Sequence, residues 1–156
     1  MRCFFLFLHV FSCSFFLHAP SLFSTGRPRR CGWLDIPVLQ YSHNVNGYAS
    51  MNITKLDVLS DLPEIKIGVS YTLDGKALPA GRMPSNLAEY SRVKVVYETM
   101  PGWQCDISKV TEYDQLPLAA RNYLDRIEQL VGVPISWVGV GPGREDMVTK
   151  GFTKQE

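Results

Sequence analysis

Residues 117–140 combine a long amphipathic helix with an uncharged strand that follows at once, a pairing that belongs to layered α/β architectures. Between Pro117 and Leu130, the apolar side chains Leu118, Tyr123, Leu124, Ile127 and Leu130 line one helical face, while Arg121, Asp125, Arg126 and Glu128 line the other. Val131-Gly132-Val133-Pro134 then turns the chain. Ile135 to Val140 carries no charge and suits a short strand buried on both faces. The remaining elements fit the same class. Asp35 to Val45 places Ile36, Leu39 and Val45 at roughly helical spacing, with Pro37 tolerable in the first turn and Asn46-Gly47 as a stop. Ile65, Ile67, Val69 and Tyr71 alternate with Lys66, Gly68 and Ser70, a half-buried strand that ends at Asp74-Gly75. Val93 to Tyr97 reads as a second strand, broken by Met100-Pro101-Gly102-Trp103, and Leu78 to Asn86 reads as a loop.

Residues 1–23 stand apart. A single Arg is followed by a run rich in Phe and Leu, the pattern of a signal peptide or a short membrane span. Leu17-His18-Ala19 is a poor cleavage site, and Pro20 would follow the cut. The run is also rich in Phe and Cys, as chance translation of pyrimidine-rich noncoding sequence would be. The four cysteines (Cys3, Cys13, Cys31, Cys105) form no C-x-x-C pair and no dense disulfide framework. The sequon Asn52-Ile53-Thr54 is short enough to arise by chance. We therefore read residues 1–23 as an unrelated leader and expect a cytoplasmic protein, with secretion or membrane tethering as the alternative. Sixteen basic against fifteen acidic residues leave a net charge of +1, which argues against a polybasic nucleic-acid binder.

Three short constellations carry chemistry. In Ser24-Thr25-Gly26-Arg27-Pro28-Arg29-Arg30, Pro28 biases Arg27 to an extended backbone, so Arg27 and Arg29 share a side. Two guanidinium forks on one side can grip carboxylates or phosphates. A solvated basic loop or a sorting signal accounts for the same run. In Thr54-Lys55-Leu56-Asp57, a carboxylate at a strand end can accept from both N1–H and the exocyclic amine of guanine. Adenine would turn an acceptor toward it and leave the acid partly unpaired. Lys55 could lay its stem over the base. For these four residues alone, a plain surface turn that starts a helix is the ordinary explanation. Lastly, Gly139, Val140, Gly141 and Pro142 open a glycine-rich turn that lets a ligand approach the backbone, although no Gly-Lys-Ser/Thr follows and a tight Pro142-Gly143 turn is the ordinary explanation.

In order and context, the three resemble the C-terminal part of the adenylosuccinate synthetase family. The resemblance is carried by Ser-Thr-Gly-Arg-Pro-Arg-Arg-Cys-Gly-Trp-Leu-Asp (24–35), Thr-Lys-Leu-Asp-Val-Leu (54–59), Tyr-Glu-Thr-Met-Pro-Gly-Trp (97–103) and Trp-Val-Gly-Val-Gly-Pro-Gly-Arg (137–144), with Asp-Gln-Leu-Pro (114–117) before the helix. It runs from Ser24 to about Val148. It implies a P-loop NTPase-like α/β fold, here an incomplete sheet with flanking helices. It also implies a GTP-dependent ligase that joins IMP to L-aspartate in AMP biosynthesis, with Mg²⁺ as its metal. By the same resemblance, Ser24, Thr25, Gly26, Arg27 and Arg29 match the loop that recognises aspartate, Arg27 being associated with IMP and Arg29 with the GTP and aspartate side. Lys55, Leu56 and Asp57 match the guanine-recognition element, and Gly139, Val140, Gly141 and Pro142 match the late GTP-binding turn.

The departures set further expectations. The family's phosphate loop with its catalytic Asp, its catalytic His and its Mg²⁺ ligands have no counterpart: no Gly-Asp-Glu-Gly-Lys-Gly run occurs. Of the three histidines, His9 and His18 lie in the leader, and His43 falls on the first helix in a packing or surface role. We expect residues 24–149 to be the family's C-terminal region and residues 150–156 a tail without a matching motif. The abrupt start at Ser24 leads us to expect an alternative or mispredicted start and a chain that is catalytically inactive alone. A homodimer, or pairing with a full-length subunit, is the expected association, and a non-catalytic nucleotide-binding module is the alternative.

Overall fold

The computed structural model describes residues 32–151. Two small sheets share one core. The first is built on β3 (Glu64–Leu73), which β5 (Lys94–Pro101) follows antiparallel along nearly its whole length. The other edge of β3 takes β1 (Leu34–Asp35) in parallel and β4 (Lys76–Ala77) antiparallel. The second sheet has the order β2 (Met51–Ile53), β6 (Ile135–Gly139), β7 (Met147–Thr149), parallel between the first pair and antiparallel between the second. Helices α1 (Ile36–Asn46) and α3 (Leu118–Val131) pack with them, and α2 (Leu87–Tyr90) is a single turn. The fold is thus mixed α/β with open sheets, as expected.

Local chemistry sets the boundaries. Asp35 caps α1 by accepting from the Val38 amide at 3.5 Å, Pro37 sits in the first turn where no N–H is needed, and Gly47 ends the helix at φ 64°. Its amide donates to the His43 carbonyl at 2.7 Å. His43 itself accepts from the Tyr48 amide through Nδ1 at 3.1 Å, a local packing role. Asp74 and Gly75, both at positive φ, close the β3–β4 hairpin.

Three readings of individual residues are corrected. Val45 is 66% exposed and does not join the buried face of α1. It lies nine residues beyond Ile36, which at 100° per residue is the opposite side of the helix. Leu118 is likewise 65% exposed, and the buried stripe of α3 is instead Ala120, Tyr123, Leu124, Ile127 and Val131. Here the strict i, i+3, i+4, i+7, i+11 spacing prevails over the hydrophobicity of the first residue. Finally, β5 does not break at Met100: Met100 pairs with Ile65 and Pro101 with Glu64. Proline lacks only a donor, and the last position of a strand can do without it. Opposite, the register shifts between Gly68 and Ser70, so Val69 is the extra residue of a bulge.

The core joins both sheets to α3. Ile53, Val138 and Val148 stand side by side across the second sheet, and Ile65 and Ile67 come from the first. Lys150, just past β7, is tied in by its backbone amide to the Ser136 carbonyl and by its ammonium to Asp125 (2.6 Å) and Glu128 (2.7 Å) of α3. No helix among the described residues is long and apolar enough to cross a membrane. The leader, residues 1–23, lies outside the described residues.

Candidate nucleotide site

Because β2 and β6 run parallel, with Asn52 beside Trp137 and Ile53 beside Val138, their carboxyl ends lie together. Ligands of open α/β sheets bind beyond strand carboxyl ends. What leaves β2 there is Thr54-Lys55-Leu56-Asp57, and what leaves β6 is Val140-Gly141-Pro142. Two segments more than eighty residues apart thus form one small constellation.

On the β2 side, Lys55 takes a left-handed backbone (φ 63°, ψ 35°), unusual for a residue with a side chain. The bend sends Leu56 into the core, where it is 1% exposed, and starts a short 3₁₀ turn, Leu56–Leu59. Asp57 follows, half-buried. Burial pushes its carboxyl above the usual carboxylate range. The amides of Asp57 and Val58, together with the Lys55 charge, pull it back, and the neighbouring Asp146 pushes it up again. The outcome is a desolvated acceptor beside a cation, which is what recognition of a donor pair on a heterocycle needs. Thr54 turns its hydroxyl to a buried place where it has no partner among the described residues.

On the β6 side, Gly139 is glycine for a visible reason. A Cβ there would stand 3.2 Å from the Thr54 Cα and 3.3 Å from the Met147 sulfur. Val140 is fully buried and anchors the turn, while Pro142 is exposed. Asp146 closes the loop: its backbone carbonyl accepts from Val140 (2.9 Å) and its carboxylate from Gly143 (2.7 Å). The 54–57 and 139–142 segments are therefore brought together at one end of the second sheet. Ser24, Thr25, Gly26, Arg27 and Arg29 lie outside the described residues.

Two residues escaped the sequence reading although both lie in or beside its motifs. Asp146 lies two residues past the 137–144 stretch, and an Asp three residues after a Pro-Gly pair is the signal of a side chain bonding back to the turn. Thr54 opens the Lys-Leu-Asp motif, but nothing in the sequence marks its hydroxyl as unpaired. No group of three His, Cys, Asp or Glu side chains among the described residues could hold a metal ion.

Comparison with known proteins points in one direction. The family model described as adenylosuccinate synthetase matches residues 23–148. The chloroplastic adenylosuccinate synthetase of Zea mays is 58% identical over 128 residues, which cover 81% of this chain and 26% of that protein. The adenylosuccinate synthetase of Candida tropicalis is 54% identical over 127 residues, covering 81% of this chain and 29% of that one. Among solved structures, the fully ligated adenylosuccinate synthetase from Plasmodium falciparum superposes with a TM-score of 0.77 at 44% identity, over 80% of this chain and 30% of that chain. The chain thus spans somewhat more than a quarter of the length of these relatives.

Proposed function

The chain belongs to the adenylosuccinate synthetase family, and from that membership we propose that it supplies the guanine-recognition and aspartate-binding part of a GTP-dependent ligase. In the proposed reaction, GTP phosphorylates the 6-oxygen of IMP, and the amine of L-aspartate then displaces that phosphate to form adenylosuccinate. Lys55 and Asp57 hold the guanine: Asp57 accepts from N1–H and the exocyclic amine, and Lys55 covers the base. Gly139, Val140, Gly141 and Pro142 let the nucleotide approach the backbone. Ser24, Thr25, Gly26, Arg27 and Arg29 neutralise the aspartate carboxylates and IMP, orienting the amine for attack. The observation that carries this reading is the parallel pairing of β2 and β6, which puts Asp57 and the glycine turn at one sheet end.

By itself, this 156-residue chain does not complete the reaction. Its sequence holds no glycine-rich phosphate loop to align the γ-phosphate and no Asp/His pair to handle the proton at the 6-oxygen. Its partner is a second copy of itself or a full-length subunit, and of the two only the full-length subunit carries those groups. Its compartment is the cytoplasm. The chloroplastic names of several relatives make the plastid the compartment to test against it.

Titration of the full chain with GDP and with ADP tests the central claim. Tighter binding of GDP supports it, and equal affinity overturns it. Mixing the chain with IMP, aspartate, GTP and Mg²⁺ should yield no adenylosuccinate, so turnover by the purified chain would refute the inactivity. Fractionation of a C-terminally tagged chain decides the compartment, where recovery from plastids or from the medium would refute the cytoplasm.

A further inference from the structure

We propose that Asp146 is the residue that holds the Gly139 to Pro142 turn in shape for the guanine nucleotide, an inference that rests on the guanine reading of Lys55 and Asp57. Three polar groups of this one residue bind the loop it ends. Its carboxylate accepts from the Gly143 amide at 2.7 Å, its carbonyl accepts from Val140 at 2.9 Å, and its amide donates to the Gly143 carbonyl at 3.4 Å. The carboxylate also fills the inside of the turn. A Cβ on Gly141 would come within 2.5 Å of Oδ2 and 2.8 Å of Cγ, and one on Gly143 within 2.9 Å of Oδ2. These two glycines are therefore matched to Asp146 as much as to a ligand. The charged acceptor makes the bond to Gly143 stronger than a neutral one would be.

Asp146 has a second effect at the same place. Its negative charge reaches Asp57 and adds to the burial that already makes that carboxyl a weaker acid. One residue thus sets both the shape of the turn and part of the charge balance of the base acceptor. The two effects separate chemically: Asn keeps an acceptor at position 146 without the charge, and Ala removes both.

The test uses the full chain, with GDP as probe, ADP as control and the Gly143 amide resonance as a readout independent of nucleotide. Asp146→Ala should shift the Gly143 resonance and weaken GDP binding by about tenfold, with the melting temperature nearly unchanged. Asp146→Asn should restore the affinity to within about twofold and move the pH midpoint of GDP binding downward, since Asp57 then loses a repelling neighbour. A merely structural role would move neither the affinity nor that midpoint. Binding by Asp146→Ala equal to that of the unsubstituted chain, or binding by Asp146→Asn as weak as by Asp146→Ala, overturns the inference. If the unsubstituted chain does not prefer GDP to ADP, the guanine reading falls and takes this inference with it. A preference that is present but indifferent to Asp146→Ala removes the inference alone.

Discussion

Gly139 and Thr54 meet with almost no space between them: a single added carbon on Gly139 would sit 3.2 Å from the Thr54 Cα, a backbone atom that cannot swing aside. The missing side chain of Gly139 permits the close approach of the paired ends of β2 and β6, and the proposed nucleotide site depends on it. Gly139→Ala should therefore push the two loops apart by a few tenths of an ångström. The expected cost is about 1–3 kcal/mol in stability, read by chemical denaturation, together with weaker GDP binding than the loss of stability alone explains.

Asp57 gives opposite pH trends for folding and for binding. Burial first, and Asp146 last, raise its pKa above the ordinary 3.8. The folded chain therefore holds the proton at a pH where the unfolded chain has released it. Stability from this group is fully present below about 3.8 and is lost as pH rises through the raised value. Guanine recognition needs the ionised form, so GDP affinity should fall as pH drops through that same window. Asp57→Asn is expected to melt at the same temperature as the unsubstituted chain or higher near neutral pH, while losing its preference for GDP over ADP. A lower melting temperature with selectivity retained would contradict both halves.

Gly102 lies where β5 leaves the first sheet, and a Cβ there would fall on the Leu62 carbonyl. Its amide donates to the Pro63 carbonyl at 2.9 Å, so the segment cannot retreat without losing that bond. Gly102→Ala should destabilise by about 3 kcal/mol or more, at or beyond the upper end of ordinary overpacking. Loss of protection from hydrogen exchange at the Glu64 and Pro101 end of the first sheet would localise the effect.

Lys150 pins β7 to α3 through Asp125 and Glu128, and its ammonium also lies 5.1 Å from the centre of the Tyr113 ring. Burial by itself would lower its pKa, but the bonds to Asp125, Glu128 and Tyr113 hold it well above the ordinary 10.5. The contribution is therefore present throughout the neutral range and is lost only in strong alkali. Lys150→Met keeps the stem and removes the charge, and should cost about 1–2 kcal/mol. The β6–β7 hairpin should loosen first, visible as faster exchange at the Lys150 amide that donates to Ser136.

The two longer helices and the end of β3 were legible in the sequence because their signals are local. An Asp before Ile36-Pro37 and a Gly after Asn46 mark α1 whatever surrounds them, and Asp74-Gly75 marks the end of β3 in the same way. Leu118 and Val45 were misplaced because hydrophobicity was read without its angle around the helix. The extension of β5 through Pro101 was hidden because the partner strand, not the residue, decides whether a terminal proline is tolerated. The family motifs were legible for a different reason: four ordered stretches specify a lineage that no single one could.

What the sequence determined by itself, then, is the list of parts: a capped helix, an acid and a lysine after one strand, an amphipathic helix, and a glycine turn after another strand. Only the tertiary structure decided that the two segments share a sheet end, that Gly139 is a backbone contact with Thr54, and that Asp146 sits inside the turn facing the field of Asp57. The reason is one of range. Caps, turns and periodicities act over a few residues, whereas parallel strand pairing joins positions some eighty residues apart, and the desolvation that tunes Asp57 exists only once the chain has closed around it.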